Sequence, residues 1–174
     1  AYYEEGNPAY YLIRQGIFAI LGITAMFIVG KINYERYRAV AKMLLIFSII
    51  LLVLVLIPGI GTGRLTHGAQ RWIRLGPIQF QPSEITKVGI ILYFADSISK
   101  KKDKMATLRY GIVPYVAILG VIAALMAKEP HLSGMVLLLG IGAVMMYVGG
   151  IRNYWVGLGF ALVLLVIYAF ATGI

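Results

Sequence analysis

Six apolar stretches divide the chain, each free or nearly free of charge: roughly Gln15 to Gly30, Ala41 to Ile57, Ser83 to Ile98, Tyr110 to Ala127, Leu132 to Val148 and Tyr154 to Thr172. Most approach the roughly 20 residues a helix needs to cross a bilayer. In hydrocarbon the backbone must satisfy its own hydrogen bonds, so runs of this length predict helices. The alternation expected of a β-barrel is missing. Pro114, inside the fourth stretch, predicts a kink or a first helical turn. Gly140, Gly142, Gly149, Gly150, Gly157 and Gly159 predict close helix packing in the fifth and sixth. The expected fold is all-α, a polytopic membrane helical bundle with six transmembrane helices forming one domain over residues 1–174.

Composition strengthens that reading. Of the 174 residues, 60% are hydrophobic and only 13% charged, which lies outside both the soluble globular class and the disordered class. There are no cysteines, so disulfide frameworks, thiolate metal sites and cysteine nucleophiles are excluded. The first residues, AYYEEGNPAYY, carry no basic n-region, and both ends read as cut, so a piece of a longer protein is expected.

A net charge of +9 would suggest nucleic acid in a soluble protein, but here its distribution points to a membrane. Lys31, Arg36, Arg38, Lys42, Lys100, Lys101, Lys102, Lys104, Arg109 and Arg152 fall on one predicted side, ten of the sixteen basic residues. The positive-inside rule places that side in the cytoplasm. The SKKKDK run there reads as a topology anchor that also touches anionic headgroups of the membrane lipids. Aromatic residues near segment ends, such as Tyr10, Trp72, Tyr110, Tyr154 and Trp155, read mainly as interfacial anchors.

The opposite side holds the candidate chemistry. The stretch GIGTGRLTHGAQRWIRLGPIQFQPSEITK is glycine-rich, basic and aromatic, and runs straight into a helix. Arg64, Gln70, Arg71 and Arg74 can all donate to an anion such as a phosphate or pyrophosphate, with Arg71 and Arg74 flanking Trp72. Snorkelling of the arginines to outer headgroups is the plainer alternative. In the following Gln81-Pro82-Ser83-Glu84, Pro82 suits a helix start and Ser83 could cap it. Glu84 and Lys87, three apart, share a helix face. Lys87 lies near the hydrocarbon boundary, where an ionisable group normally faces the bundle interior rather than lipid. A third site is the short turn Lys128-Glu129-Pro130-His131-Leu132-Ser133-Gly134, where Glu129 and His131 could bond or exchange protons, or Ser133 or His131 simply caps a helix. Asp96 reads as an interfacial charge. Two histidines and seven acids make a histidine-rich metal site implausible, and no P-loop, dinucleotide fingerprint, HExxH or nucleophile elbow occurs.

The combination Gly68-Ala69-Gln70-Arg71-Trp72-Ile73, then Gln81-Pro82-Ser83-Glu84 and Lys87, resembles the SEDS family (shape, elongation, division and sporulation). The match runs over essentially the whole chain and looks most similar to the FtsW/SpoVE branch. One departure is plain: where the family has Q-P-D-x-G-T, this chain has Glu129-Pro130-His131-Leu132-Ser133-Gly134, so the usual aspartate is His131. The resemblance implies a ten-helix membrane enzyme, with these six segments as its second to seventh helices. Such an enzyme polymerises lipid II into glycan strands outside the membrane, alongside a class B penicillin-binding protein and without nucleic acid. The expected substrate-binding residues are Arg71, Trp72, Gln81, Ser83, Glu84, Lys87, Glu129 and His131. The catalytic base is expected in a loop beyond Ile174. No cofactor is required, though the chemistry leaves room for a divalent cation. A lipid II flippase and a non-catalytic scaffold of the division or sporulation machinery are the competing readings.

Overall fold

In a computed structural model the described residues are 8–57, 61–62, 71–75, 78–129 and 132–172. They form six α-helices: α1 (Pro8–Gly30), α2 (Tyr34–Val55), α3 (Pro82–Lys100), α4 (Val113–Lys128), α5 (Leu132–Val148) and α6 (Asn153–Thr172). All six expected segments are helical. The first two helices start seven residues earlier than expected, α1 at Pro8 rather than Gln15 and α2 at Tyr34 rather than Ala41; in α1 proline suits a first helical turn, and Tyr10 to Ile13 carry the apolar run across Arg14. Between α2 and α3 stands a small antiparallel sheet that no hydropathy pattern announced, β1 (Gly61–Thr62), β2 (Trp72–Leu75) and β3 (Ile78–Phe80) in the order β1-β2-β3.

The chain divides into two compact units, residues 1–37 and 38–174. In the first, α1 exposes large apolar side chains on all sides, among them Leu12, Phe18, Leu21 and Phe27. The turn that ends it is fixed by the Tyr37 hydroxyl, which donates to the Val29 carbonyl at 2.5 Å, and by Asn33 Oδ1, which accepts from the Glu35 N–H at 3.1 Å. Asn33 thereby satisfies an otherwise orphaned donor at the start of α2.

In the second unit α3 and α4 both pack against α5, and α6 packs on α5. Leu45 and Leu52 of α2 join Ile90 and Phe94 of α3, Tyr115, Leu119, Ile122 and Met126 of α4, and Met135 and Leu138 of α5 in one core. The Phe94 and Tyr115 rings meet edge to face at 4.8 Å, and the Tyr115 hydroxyl donates to Ser97 Oγ at 2.9 Å. That gives the buried polar tip the partner it requires. Pro114 does mark a first turn, that of α4, and the residues before it, Leu108–Ile112, form a single widened π-type turn. Outside this core Met43, Phe47, Ile50, Val53, Val116, Val121 and Leu137 are exposed. Among the described residues two spans, Tyr34–Val55 and Leu108–Lys128, are long and apolar enough to cross a membrane, and Gln15–Gly30 and Leu132–Val148 are shorter apolar helices. Apolar surface on this scale suits lipid as the solvent.

Candidate functional site

The sheet sits over one end of the helices because β2 alternates. Ile73 points inward and packs with Leu51 and Val55 of α2, Ile85 of α3 and Phe80 of β3. Its neighbours Trp72 and Arg74 point the other way and are exposed. Cross-strand register pairs Ile73 with Phe80 and Arg74 with Gln79.

Arg71, just before β2, falls on the inward side with Ile73 and is half-buried. Its Nε donates to the main-chain carbonyl of Glu129 at 3.1 Å. Glu129 closes α4, its N–H returning to the Met126 carbonyl at 3.1 Å. Its side chain is 0% exposed, and among the described residues neither carboxyl oxygen has a hydrogen-bond partner. Burial pushes this carboxyl up to about 7, against the pull of the nearby Arg71 charge. A carboxylate stripped of water and denied partners takes up a proton, which is the cheaper form in such surroundings.

On the first turn of α3, Lys87 Nζ donates to Glu84 Oε1 at 2.7 Å, as their spacing predicted. Lys87 is turned into the structure, its side chain 19% exposed against 61% for Glu84. Ser83 does not do what was expected of it. The residue preceding the helix is Gln81, with no side-chain cap bond, while Ser83 lies inside the first turn, buried, its Oγ without a partner among the described residues. The reason is Pro82: it starts the helix itself, moving Ser83 past the position from which a hydroxyl reaches the free N–H groups. The turn carries instead a Thr86 hydroxyl bonded to the Pro82 carbonyl at 3.0 Å.

The structure thus joins Arg71 to Glu129, and Glu84 to Lys87, at the same end of the bundle. It separates Trp72 from Arg71, since the two point to opposite faces of the strand. His131, like Gln70 and Arg64, lies outside the described residues. Four described cations stand at this end, Arg71, Arg74, Lys87 and Lys128, against two carboxylates, Glu84 and Glu129. With Glu129 leaning to its neutral form, the balance favours an anion. That Gln79 would stand beside Arg74 was not legible in the residue pattern, because β3 is three residues long. At the far end Asp96 is more than an interfacial charge: it lies 2.7 Å from Arg38 Nε of α2 and 2.6 Å from Lys100 Nζ.

The family model for the FtsW/RodA/SpoVE proteins, described as cell cycle proteins, matches residues 1–173. The chain belongs to this family. It is 41% identical over 163 residues to a probable peptidoglycan glycosyltransferase FtsW from Trichlorobacter lovleyi, covering 93% of this chain and 42% of that protein. The rod shape determining protein RodA of Thermus thermophilus has the same fold, with a TM-score of 0.74 at 30% identity over 91% of this chain and 51% of RodA. A chain from a peptidoglycan synthase complex, solved for the structural coordination of polymerization and crosslinking, superposes with a TM-score of 0.68 at 26% identity, covering 98% of this chain and 46% of that one. As a member of the FtsW/RodA/SpoVE family the chain is part of a polytopic integral membrane protein. It spans about two-fifths of the FtsW relative and about half of RodA.

Proposed function

We propose that this chain is part of a membrane peptidoglycan glycosyltransferase, which polymerises lipid II into glycan strands at the outer face of the bacterial cytoplasmic membrane. A class B penicillin-binding protein would supply the crosslinking activity alongside it. The name of the FtsW relative and the synthase complex among the structural neighbours support the reading. The observation that carries it is the Arg71–Glu129 contact, which fixes a guanidinium at the cationic end of the bundle.

Transfer of a sugar from an undecaprenyl pyrophosphate needs stabilisation of charge on the departing pyrophosphate and a base for the acceptor hydroxyl. Arg71 spends one N–H on the Glu129 carbonyl, which orients the guanidinium plane. A planar guanidinium matches the paired oxygens of a phosphate in shape and charge. Lys87, held by Glu84, adds a second cation on the helix that begins beneath the sheet. The acceptor's base would come from the remainder of the full-length protein. Among the described residues no three acidic or histidine side chains come together to hold a metal ion, so no step is assigned to a divalent cation. Charged pairs lie at the two ends of α3, Glu84–Lys87 and Asp96–Lys100, rather than midway along it as a transporter's central site would require.

The test is polymerisation of labelled lipid II by the purified full-length parent, with its penicillin-binding partner, and sizing of the strands. Arg71→Ala and Lys87→Ala should each lower the rate by about a hundredfold, the scale of losing one preorganised charge donor, while membrane insertion and partner binding persist. Undiminished synthesis in both variants would sink the anion site; loss of partner binding instead would favour the scaffold.

A further inference from the structure

The outward face of the sheet is a separate surface from the Arg71–Glu129 contact. Alternation along β2 puts Trp72 and Arg74 on it, and the antiparallel register sets Gln79 of β3 directly across from Arg74. All three are exposed, Trp72 at 40%. The sheet beneath them is fixed, since Ile73 on its other face is buried against α2 and α3. The result is one flat aromatic ring beside a guanidinium and an amide on a rigid hairpin.

Resting on the glycosyltransferase reading, we infer that this face is a saccharide platform that holds an N-acetylated amino-sugar strand next to the site of its extension. A pyranose has a C–H-rich face and a rim of hydroxyl and amide oxygens. The electron-rich face of an indole attracts the first. Arg74 and Gln79 donate to the second, and Gln79 also accepts. Charge agrees with this occupant: from Arg71 to Gln81 there are two arginines and no acid, a surface of donors for a strand rich in carbonyl and carboxylate acceptors. A bilayer is the less suitable partner, because Trp72 is the one apolar side chain among these three and its neighbours are polar.

Trp72 and Trp155 are the two tryptophans, so Trp155→Phe leaves Trp72 as a reporter in the full chain reconstituted in nanodiscs. Titration with the β-1,4-linked tetramer of N-acetylglucosamine should change its fluorescence saturably. Arg74→Ala and Gln79→Ala should each weaken binding about fivefold, the effect of one lost hydrogen bond. Calorimetry on the chain with Trp155 intact provides the same readout if the Phe variant fails to fold. No saturable binding, or binding unchanged by both substitutions, overturns the platform. So does a fluorescence change with anionic vesicles and none with the tetramer. The two proposals fail separately. Parent protein that polymerises lipid II to unchanged lengths with Arg74→Ala and Gln79→Ala combined, yet is silenced by Arg71→Ala, overturns the platform alone. Tetramer binding that obeys the predicted substitutions, in a parent that never polymerises lipid II, overturns the glycosyltransferase reading and sustains the platform.

Discussion

Arg71 and Glu129 meet through a side chain and a backbone: the guanidinium Nε donates to the Glu129 carbonyl at 3.1 Å while the Glu129 carboxyl stays buried and unpaired among the described residues. The contact joins the sheet to the last turn of α4, across 58 residues of sequence. It therefore fixes the position of the cation at this end of the bundle.

The buried carboxyl makes stability depend on pH. Glu129 lies just past α4, and burial raises its pKa from 4.5 to about 7. The folded state holds this proton more tightly than the unfolded one. Stability from this group is therefore complete below the unfolded value, falls as pH climbs between the two, and is flat above about 7. The full loss is on the order of 3 kcal/mol. Glu129→Gln removes the titrating group with little change of shape, so thermal unfolding in detergent should lose this slope. The variant should be more stable than the parent chain at about pH 8 and close to it at about pH 5. An unchanged slope would place the proton elsewhere.

Gly89 sets how closely α2 and α3 approach. A Cβ there would lie 3.2 Å from the Leu45 Cα and 3.3 Å from Ser48 Oγ. The hydroxyl can swing aside, but it already donates to the Leu45 carbonyl at 2.8 Å, and the backbone of Leu45 cannot move without the helix. Gly89→Ala should thus destabilise by about 1 kcal/mol despite alanine's better helix propensity, and Gly89→Leu by about 3 kcal/mol or more. Thermal melts of both variants measure this; an alanine variant as stable as the parent would show that α2 yields.

The helices were legible in the sequence because their signal is summed over many residues: Leu132 to Val148 was expected and is found to the residue. The sheet was not, since β2 and β3 have four and three residues among glycines and prolines, too few for alternation to register. For the same reason the partition of Trp72 from Arg71 could not be read. Both belonged to one recognisable motif, but only the strand shows that adjacent residues serve opposite faces. Glu84 and Lys87 needed only helical spacing, so their pairing was foreseeable. The Arg71–Glu129 contact is a matter of tertiary placement, for which local spacing carries no information.

Orientation has its own test. By the positive-inside rule, the charge asymmetry predicts that Lys102 faces the cytoplasm and the sheet the outside. Because the chain has no cysteine, single cysteines can be introduced without removing any. In intact cells Gln79→Cys should react with a membrane-impermeant maleimide, and Lys102→Cys should react only after permeabilisation. The opposite pattern would invert the topology and remove an outward-facing active site from the proposal.

At the other end of the bundle, magnitudes decide what Asp96 contributes. Its side chain is 15% exposed and lies between Arg38 of α2 and Lys100 of its own helix, with those side chains 46% and 57% exposed. The Lys100 contact spans one helical turn, and such pairs contribute about 0.3–0.5 kcal/mol. The Arg38 contact is tertiary, and Arg38 also donates to Ser99 Oγ at 3.1 Å, so it holds α2 against α3 in a way Lys100 does not. Exposure of both cations limits either pair to the order of 1 kcal/mol. Asp96→Asn should cost about 1–2 kcal/mol, because it loses both attractions and leaves Arg38 facing Lys100. Lys100→Ala should cost less than half as much. Adding Arg38→Gln to Asp96→Asn should recover part of the loss, giving a coupling of about 1 kcal/mol in a double-mutant cycle. Raising the salt should shrink that coupling, since partly exposed charges are screened. A coupling near zero at low salt would mean that the apolar core alone, Leu45 and Leu52 against Ile90 and Phe94, sets the approach of the two helices.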